Sequence, residues 1–293
     1  MKLVCTLLIG FVLAAADLQA STIIAPSDNP LISAQMYRDE ADLYPMVGKV
    51  TGSSMGGSGV LISDRWVLTA GHIARDKAGG TFSVGGTDYR ISSTIIHPSY
   101  VFLRDPFDIG LVYLSSPVTT SNAATMIRFS EPNSILGREA TWVGHGQTGT
   151  GLTGSENPLE FRAFTNVIDV MGPAYGLTAT SFVADFDRPD GSTNSGSLSS
   201  ATATRLEGNV AAGDSGGGVF VTVGGSRYLV GINSYTGRFS FGAASSYGSI
   251  SGATNLDLFH SWIFDQTSIV AVPEPSSVWI CAIGLLLGLR RRR

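Results

Sequence analysis

The sequence predicts an all-β fold, and three observations carry that expectation. The 293-residue chain holds 36 glycines and only 14% charged residues, a composition of many turns. Its apolar segments are short runs such as Arg65-Trp66-Val67-Leu68 and Ile109-Gly110-Leu111-Val112. Gly, Pro, Asn and Asp separate these runs, as turns separate strands. The length allows one large or two fused small domains. A net charge of −4 excludes the basic footprint of a nucleic-acid-binding protein.

The chain opens with Lys2, an apolar core from Leu3 to Ala16, and small residues at Ala14-Ala15-Ala16 and Ala20. That order is a secretory signal, read here as residues 1–20. Residues 21–43 read either as an N-terminal segment forming a first strand or as a propeptide. Residues 44–268 form the main domain.

Three segments of that domain carry chemistry. Leu68-Thr69-Ala70-Gly71-His72 follows a strand, Asp108 opens another, and Gly213-Asp214-Ser215-Gly216-Gly217 is a glycine-rich turn. A serine hydroxyl is a weak nucleophile until a base takes its proton, so Ser215 needs an imidazole. His72 is the candidate base, and Asp108 would fix its tautomer. The backbone N–H groups of Gly213 and Ser215 are the candidate oxyanion hole, approached closely because glycine has no side chain. Asp105 is the rival acid, but it precedes Pro106 and has no apolar strand behind it. His97, His145 and His260 have no second site element near them and read as structural. The spacing of the three segments suits one six-stranded barrel followed by a second.

These segments, with His97-Pro98-Ser99-Tyr100, Gly144-His145-Gly146 and Gly231-Ile232-Asn233-Ser234-Tyr235, resemble the trypsin-like (chymotrypsin-fold) serine proteases of bacterial type. The resemblance runs from about Tyr44 to Trp262. It implies two six-stranded antiparallel β-barrels with a short C-terminal helix beginning near Ser261-Trp262-Ile263. It also implies a cleft between the barrels that hydrolyses polypeptides through an acyl-enzyme, with no cofactor and no metal. Asn209 would stand at the floor of the specificity pocket and Ser234, Tyr235 and Thr236 along its wall. An uncharged Asn209 and the methyl of Thr236 favour small or medium uncharged residues before the scissile bond. In activated animal members the residue matching Asp214 pairs with a new N-terminal amine. No Arg or Lys followed by Ile-Val-Gly-Gly precedes His72, so Asp214 needs an internal donor or the N-terminal stretch. A catalytically silent surface-binding or scaffold module is the alternative function.

Both cysteines, Cys5 and Cys281, lie in the terminal segments, so the main domain has no disulfide. The resemblance implies that Ile73 stands where animal members carry a cysteine, that the partner position lies near Ser58, and that Ala211 stands beside the oxyanion loop in place of another. At the other end, Val272-Pro273-Glu274-Pro275, an apolar run from Val278 to Leu289, and four arginines resemble a PEP-CTERM sorting signal over residues 269–293. That resemblance implies an exosortase-type partner, a transient membrane anchor, and display at the envelope or extracellular surface of a Gram-negative bacterium. A plain membrane anchor is the alternative. Between Asp185 and Ala203 the chain is polar and reads as a surface loop. Asp185, Asp187 and Asp190 there could hold calcium or simply form a solvated turn.

Overall fold

The computed structural model describes residues 21–101, 107–131, 133–192, 202–238 and 242–275. Strand β1 (Thr22–Ile23) and helix α1 (Ala34–Ala41) precede six strands: β2 (Val47–Thr51), β3 (Gly57–Leu61), β4 (Trp66–Thr69), β5 (Thr81–Val84), β6 (Thr87–Ile96) and β7 (Gly110–Leu114). Helix α2 (Gly71–Ala74) follows β4 directly. The six strands close into an antiparallel barrel in the order β2-β3-β4-β7-β6-β5. Val50, Val60, Leu68, Phe82 and Leu111 belong to its core and are fully buried. Burying such a side chain contributes about 1.5–3 kcal/mol.

The second half contains β8 (Ile127–Arg128), β9 (Glu139–Thr150), β10 (Gly154–Val167), β11 (Val170–Met171), β12 (Ser181–Asp185), β13 (Gly208–Asn209), β14 (Gly218–Val223), β15 (Ser226–Arg238) and β16 (Ser249–Asn255). Helix α3 (His260–Thr267) and β17 (Val272–Pro273) end the described chain. A second core gathers on Trp142, whose ring lies 5.9 Å from that of Phe164 and 5.8 Å from that of Phe182.

The expectation of two closed barrels is corrected here. Only the first barrel closes; the second half is an open nine-stranded sheet ordered β11-β12-β16-β15-β14-β9-β1-β13, with β10 attached to β9. Closure would require a ladder between β10 and β12. At that seam Asp185 gives both backbone groups to side chains. Its carbonyl accepts from the Asn166 amide, and its N–H donates to Asp169 Oδ2 at 3.1 Å. With those groups taken, a ladder has nothing to pair with there.

The reading of Asp185 onward as a surface loop also changes. Asp185 ends β12, and Asp185, Phe186 and Asp187 are buried. Asp190 instead faces solvent, with a side chain 57% exposed, so these three carboxylates do not converge on one ion.

The C-terminal expectations fail as well. Val272 and Pro273 pair with Ile127 and Arg128, and Glu274 forms an ion pair with Arg138 at 2.9 Å. Pro273-Glu274 is therefore docked on the body rather than presented as a free cleavage linker. Among the described residues no helix is long and apolar enough to cross a membrane. The apolar run from Val278 lies outside the described residues and is shorter than the ~20 residues of a span. The docked Pro273-Glu274 and the lack of such a helix among the described residues stand against the expected transmembrane segment, exosortase-type partner and exported Gram-negative envelope location.

Candidate active site

Helix α2 begins immediately after β4, which puts His72 on its first turn. The His72 backbone N–H donates to Asp108 Oδ1 at 2.9 Å, and its ring Nδ1 lies 2.7 Å from Asp108 Oδ2. Ser234 Oγ, from β15, donates to the same Oδ2 at 2.6 Å. Burial opposes ionisation of Asp108, but His72 and these donors outweigh it and hold the carboxyl below the ordinary aspartate value. An ionised carboxylate only accepts hydrogen bonds, so His72 Nδ1 carries the proton. In the neutral ring that leaves Nε2 as an acceptor.

The Ser215 turn is clamped to the barrel. Ser58 N–H donates to the Ser215 carbonyl at 2.7 Å, and Ser58 Oγ donates to the Gly213 carbonyl at 2.8 Å. Gly213 and Gly216 have φ of 98° and 87°, a region that favours glycine. A side chain at Gly216 would also collide with the Ser58 carbonyl and Thr69 Oγ1. These conditions account for two glycines of the turn.

Residues 35–263 match the family model for trypsin. The chain belongs to the trypsin family. Rat vitamin K-dependent protein C is 34% identical over 103 residues, 32% of this chain and 22% of that protein. A trypsin from Simulium vittatum is 29% identical over 120 residues, 38% of this chain and 48% of that protein. The serine proteinase stubble of Drosophila melanogaster is 29% identical over 110 residues, 14% of its length. The chain thus spans about half or less of the length of these relatives.

Asp214 is fully buried and takes its donors from two places. Ser21 Oγ donates to Oδ2 at 2.6 Å and the Ala211 N–H donates to it at 3.1 Å. The N-terminal stretch therefore does reach this carboxylate, through a hydroxyl. Burial pushes Asp214 up to about 6.

The proposed pocket residues also have definite partners. Asn209 is fully buried. Its amide donates to Thr236 Oγ1 at 2.9 Å, and its Oδ1 accepts from Ser251 Oγ at 2.8 Å. Thr236 is exposed while its hydroxyl reaches Asn209. Tyr235 OH lies 3.0 Å from Ser181 Oγ. Ser234 points to Asp108 rather than only lining a wall. Glu207, two residues from Asn209, is turned away: Oε2 takes the N–H and hydroxyl of Thr204 at 2.6 and 2.7 Å.

The other histidines sit elsewhere. His97 packs among Phe107, Phe259 and Trp262, His145 stacks on Phe161, and His260 Nε2 lies 3.0 Å from the Ile127 carbonyl. Asp105 lies outside the described residues. Sequence reasoning missed the clamp by Ser58 and the floor partner Ser251. Isolated serines in a serine-rich chain carry no local signal of such roles.

Proposed function

We propose that this protein is a serine endopeptidase in which Ser215 is the nucleophile, His72 the general base and Asp108 its orienting acid. Ser215 Oγ attacks the scissile carbonyl carbon while His72 Nε2 takes its proton. The carbonyl oxygen becomes an oxyanion, held by the N–H groups of Gly213 and Ser215. Each such donor contributes about 2.7–4 kcal/mol to lowering the barrier. Collapse expels the amine, which receives the proton from His72 and leaves an acyl-enzyme on Ser215. Water, activated by the same imidazole, then releases the acid. No cofactor takes part in this scheme.

The observation that carries this reading is the Asp108 carboxylate. It is buried, ionised and shared between His72 and Ser234, an arrangement that places the proton of the neutral ring on Nδ1 and so suits Nε2 to the role of base. The pocket contacts support a preference for small or medium uncharged residues before the scissile bond. Asn209 offers no charge, and Thr236 stands hydrogen-bonded across its approach.

A fluorophosphonate probe on the purified chain tests the reading. Labelling should map to Ser215, and Ser215→Ala and His72→Ala should each abolish labelling and cut turnover by about 10⁴–10⁶ while the fold persists. Folded Ser215→Ala that cleaves peptides normally would sink the proposal.

A further inference from the structure

A cavity of about 240 Å³ lies between the end of α1 and the second sheet, and none of His72, Asp108, Ser215 or Asn209 lines it. It has room for about eight waters. Sheet register assembles its floor. Thr141 on β9 faces Phe220 on β14, and Thr222 on β14 faces Arg227 on β15. Alternation along a strand puts Glu139 on the face of Thr141, and Thr222 on the face of Phe220. Glu139, Thr141, Thr222 and Arg227 thus share one face of the sheet. Helix α1 adds Glu40 from its last turn, and Tyr44 follows it. Beyond β10, the Thr165 N–H donates to the Leu206 carbonyl at 2.8 Å and brings Arg205 to the cavity.

Two carboxylates and two guanidiniums therefore surround one small space. Among the described residues the arginine ion pairs are made by Arg38, Arg75, Arg138, Arg162 and Arg188, so no ion pair joins any of these four charges. The fold keeps them apart. Glu139 and Arg227 lie on strands either side of β14, about 9–10 Å from each other across the sheet. Arg227 is held from another side: its guanidinium carbon lies 5.1 Å from the centre of the Tyr44 ring. Tyr44 is itself buried and packs on Phe220 at 4.8 Å between ring centres. A guanidinium fixed over a ring still offers its planar fork to a carboxylate. Glu40 and Arg227 both act on the Tyr44 hydroxyl, which burial keeps above its ordinary value of 10 and so neutral. Singly, each of these charges is an ordinary solvated side chain. Opposite signs fixed on different walls of one cavity complement a ligand that carries both.

We propose that this cavity binds a short peptide with both termini free, its α-carboxylate on Arg227 and its α-ammonium on Glu139 and Glu40. A dipeptide reaches about 7 Å from end to end, which fits the span once the long side chains lean inward. A single amino acid carries both charges on one carbon and cannot serve both walls. The hydroxyls of Thr141 and Thr222 lie between the two charges, where the peptide group falls. Arg205 adds positive potential at the edge. The site shares no residue with the Ser215 constellation, so it stands or falls independently of that assignment.

Isothermal titration calorimetry of the purified chain with Ala-Ala tests this, beside alanine, acetyl-Ala-Ala, Ala-Ala-amide and acetyl-Ala-Ala-amide. Ala-Ala should bind saturably at millimolar concentration or below. Blocking either end should weaken binding about tenfold or more, the loss of one hydrogen-bonded charge contact. Arg227→Gln should bind Ala-Ala and Ala-Ala-amide alike, because the carboxylate has lost its partner. Glu139→Gln should narrow the gap between Ala-Ala and acetyl-Ala-Ala without closing it, since Glu40 remains. Both variants should hydrolyse an alanyl p-nitroanilide peptide as the unmutated chain does. Binding of Ala-Ala that survives undiminished in both variants places the peptide elsewhere, the Ser215 cleft included, and overturns the proposal. Alanine binding as tightly as Ala-Ala, indifference to blocked ends, or no saturable heat at millimolar peptide overturns it too. Should a variant not fold, the end-blocked peptides on the unmutated chain decide.

Discussion

Ser58 Oγ donates to the Gly213 carbonyl at 2.8 Å across the two halves of the molecule, and the same oxygen accepts the His145 N–H at 2.8 Å. One fully buried hydroxyl thus ties the barrel, the open sheet and the Ser215 turn together. Ile73, one residue after His72, packs in the barrel core.

Ser58→Ala should therefore cost about 1–3 kcal/mol of stability, because it leaves a buried carbonyl and a buried N–H unpaired. If Gly213 has the oxyanion-binding role proposed above, it should also lower kcat more than it changes KM. Urea unfolding together with steady-state kinetics checks both. Unchanged stability would show that the clamp is dispensable.

Pocket variants should change selectivity in two distinct ways, one in size and one in charge. Thr236→Gly removes the hydroxyl that meets Asn209 and should admit larger side chains before the scissile bond. Asn209→Asp should recruit Arg or Lys, because a buried cation needs a paired charge. Peptide-library profiling reads both. A dominant Arg or Lys preference in the unmutated protein would overturn the pocket assignment, and Glu207 does not rescue it, being engaged with Thr204.

Asp187 predicts a pH-dependent stability. Burial, then the charges of Asp185 and Asp169, push it from 3.8 up to about 8. A carboxyl raised in this way binds a proton longer when folded than when unfolded. Its burial therefore destabilises increasingly as pH rises from 3.8 to about 8, and the effect is flat above that. Asp187→Asn should be more stable than wild type at pH 9 and nearly equal to it at pH 4. Thermal melts across that range test this, and a pH-independent difference would contradict it.

Asp108 predicts the reverse sign. Its folded value lies below the ordinary 3.8, so its ionised form contributes stability above that pH. That contribution is lost as pH falls through the folded value. Asp108→Asn should show a shallower loss of stability than wild type in acid, measured by urea midpoints between pH 4 and pH 2. Parallel curves would count against the hydrogen-bonded carboxylate.

Local sequence determined much of this protein. Turn glycines, short β-branched runs and the flanks of His72, Asp108 and Ser215 act over a few residues, so all-β character and the three candidate site segments could be read locally. So was the helix starting near Ser261, seen as His260–Thr267. Tertiary structure alone decided the rest. Whether the second sheet closes depended on Asn166 and Asp169 competing for the backbone of Asp185, a contest between distant residues that no spacing reveals. The same holds for Ser234 on Asp108 and Ser21 on Asp214, more than a hundred residues apart in each case. It also holds for the burial of Asp185 and Asp187 in a stretch whose polar composition reads as solvated. A hydroxyl or carboxyl has the same local pattern in water as in a core. Its partner, and hence its charge and its role, is set only when the folded chain brings the two together.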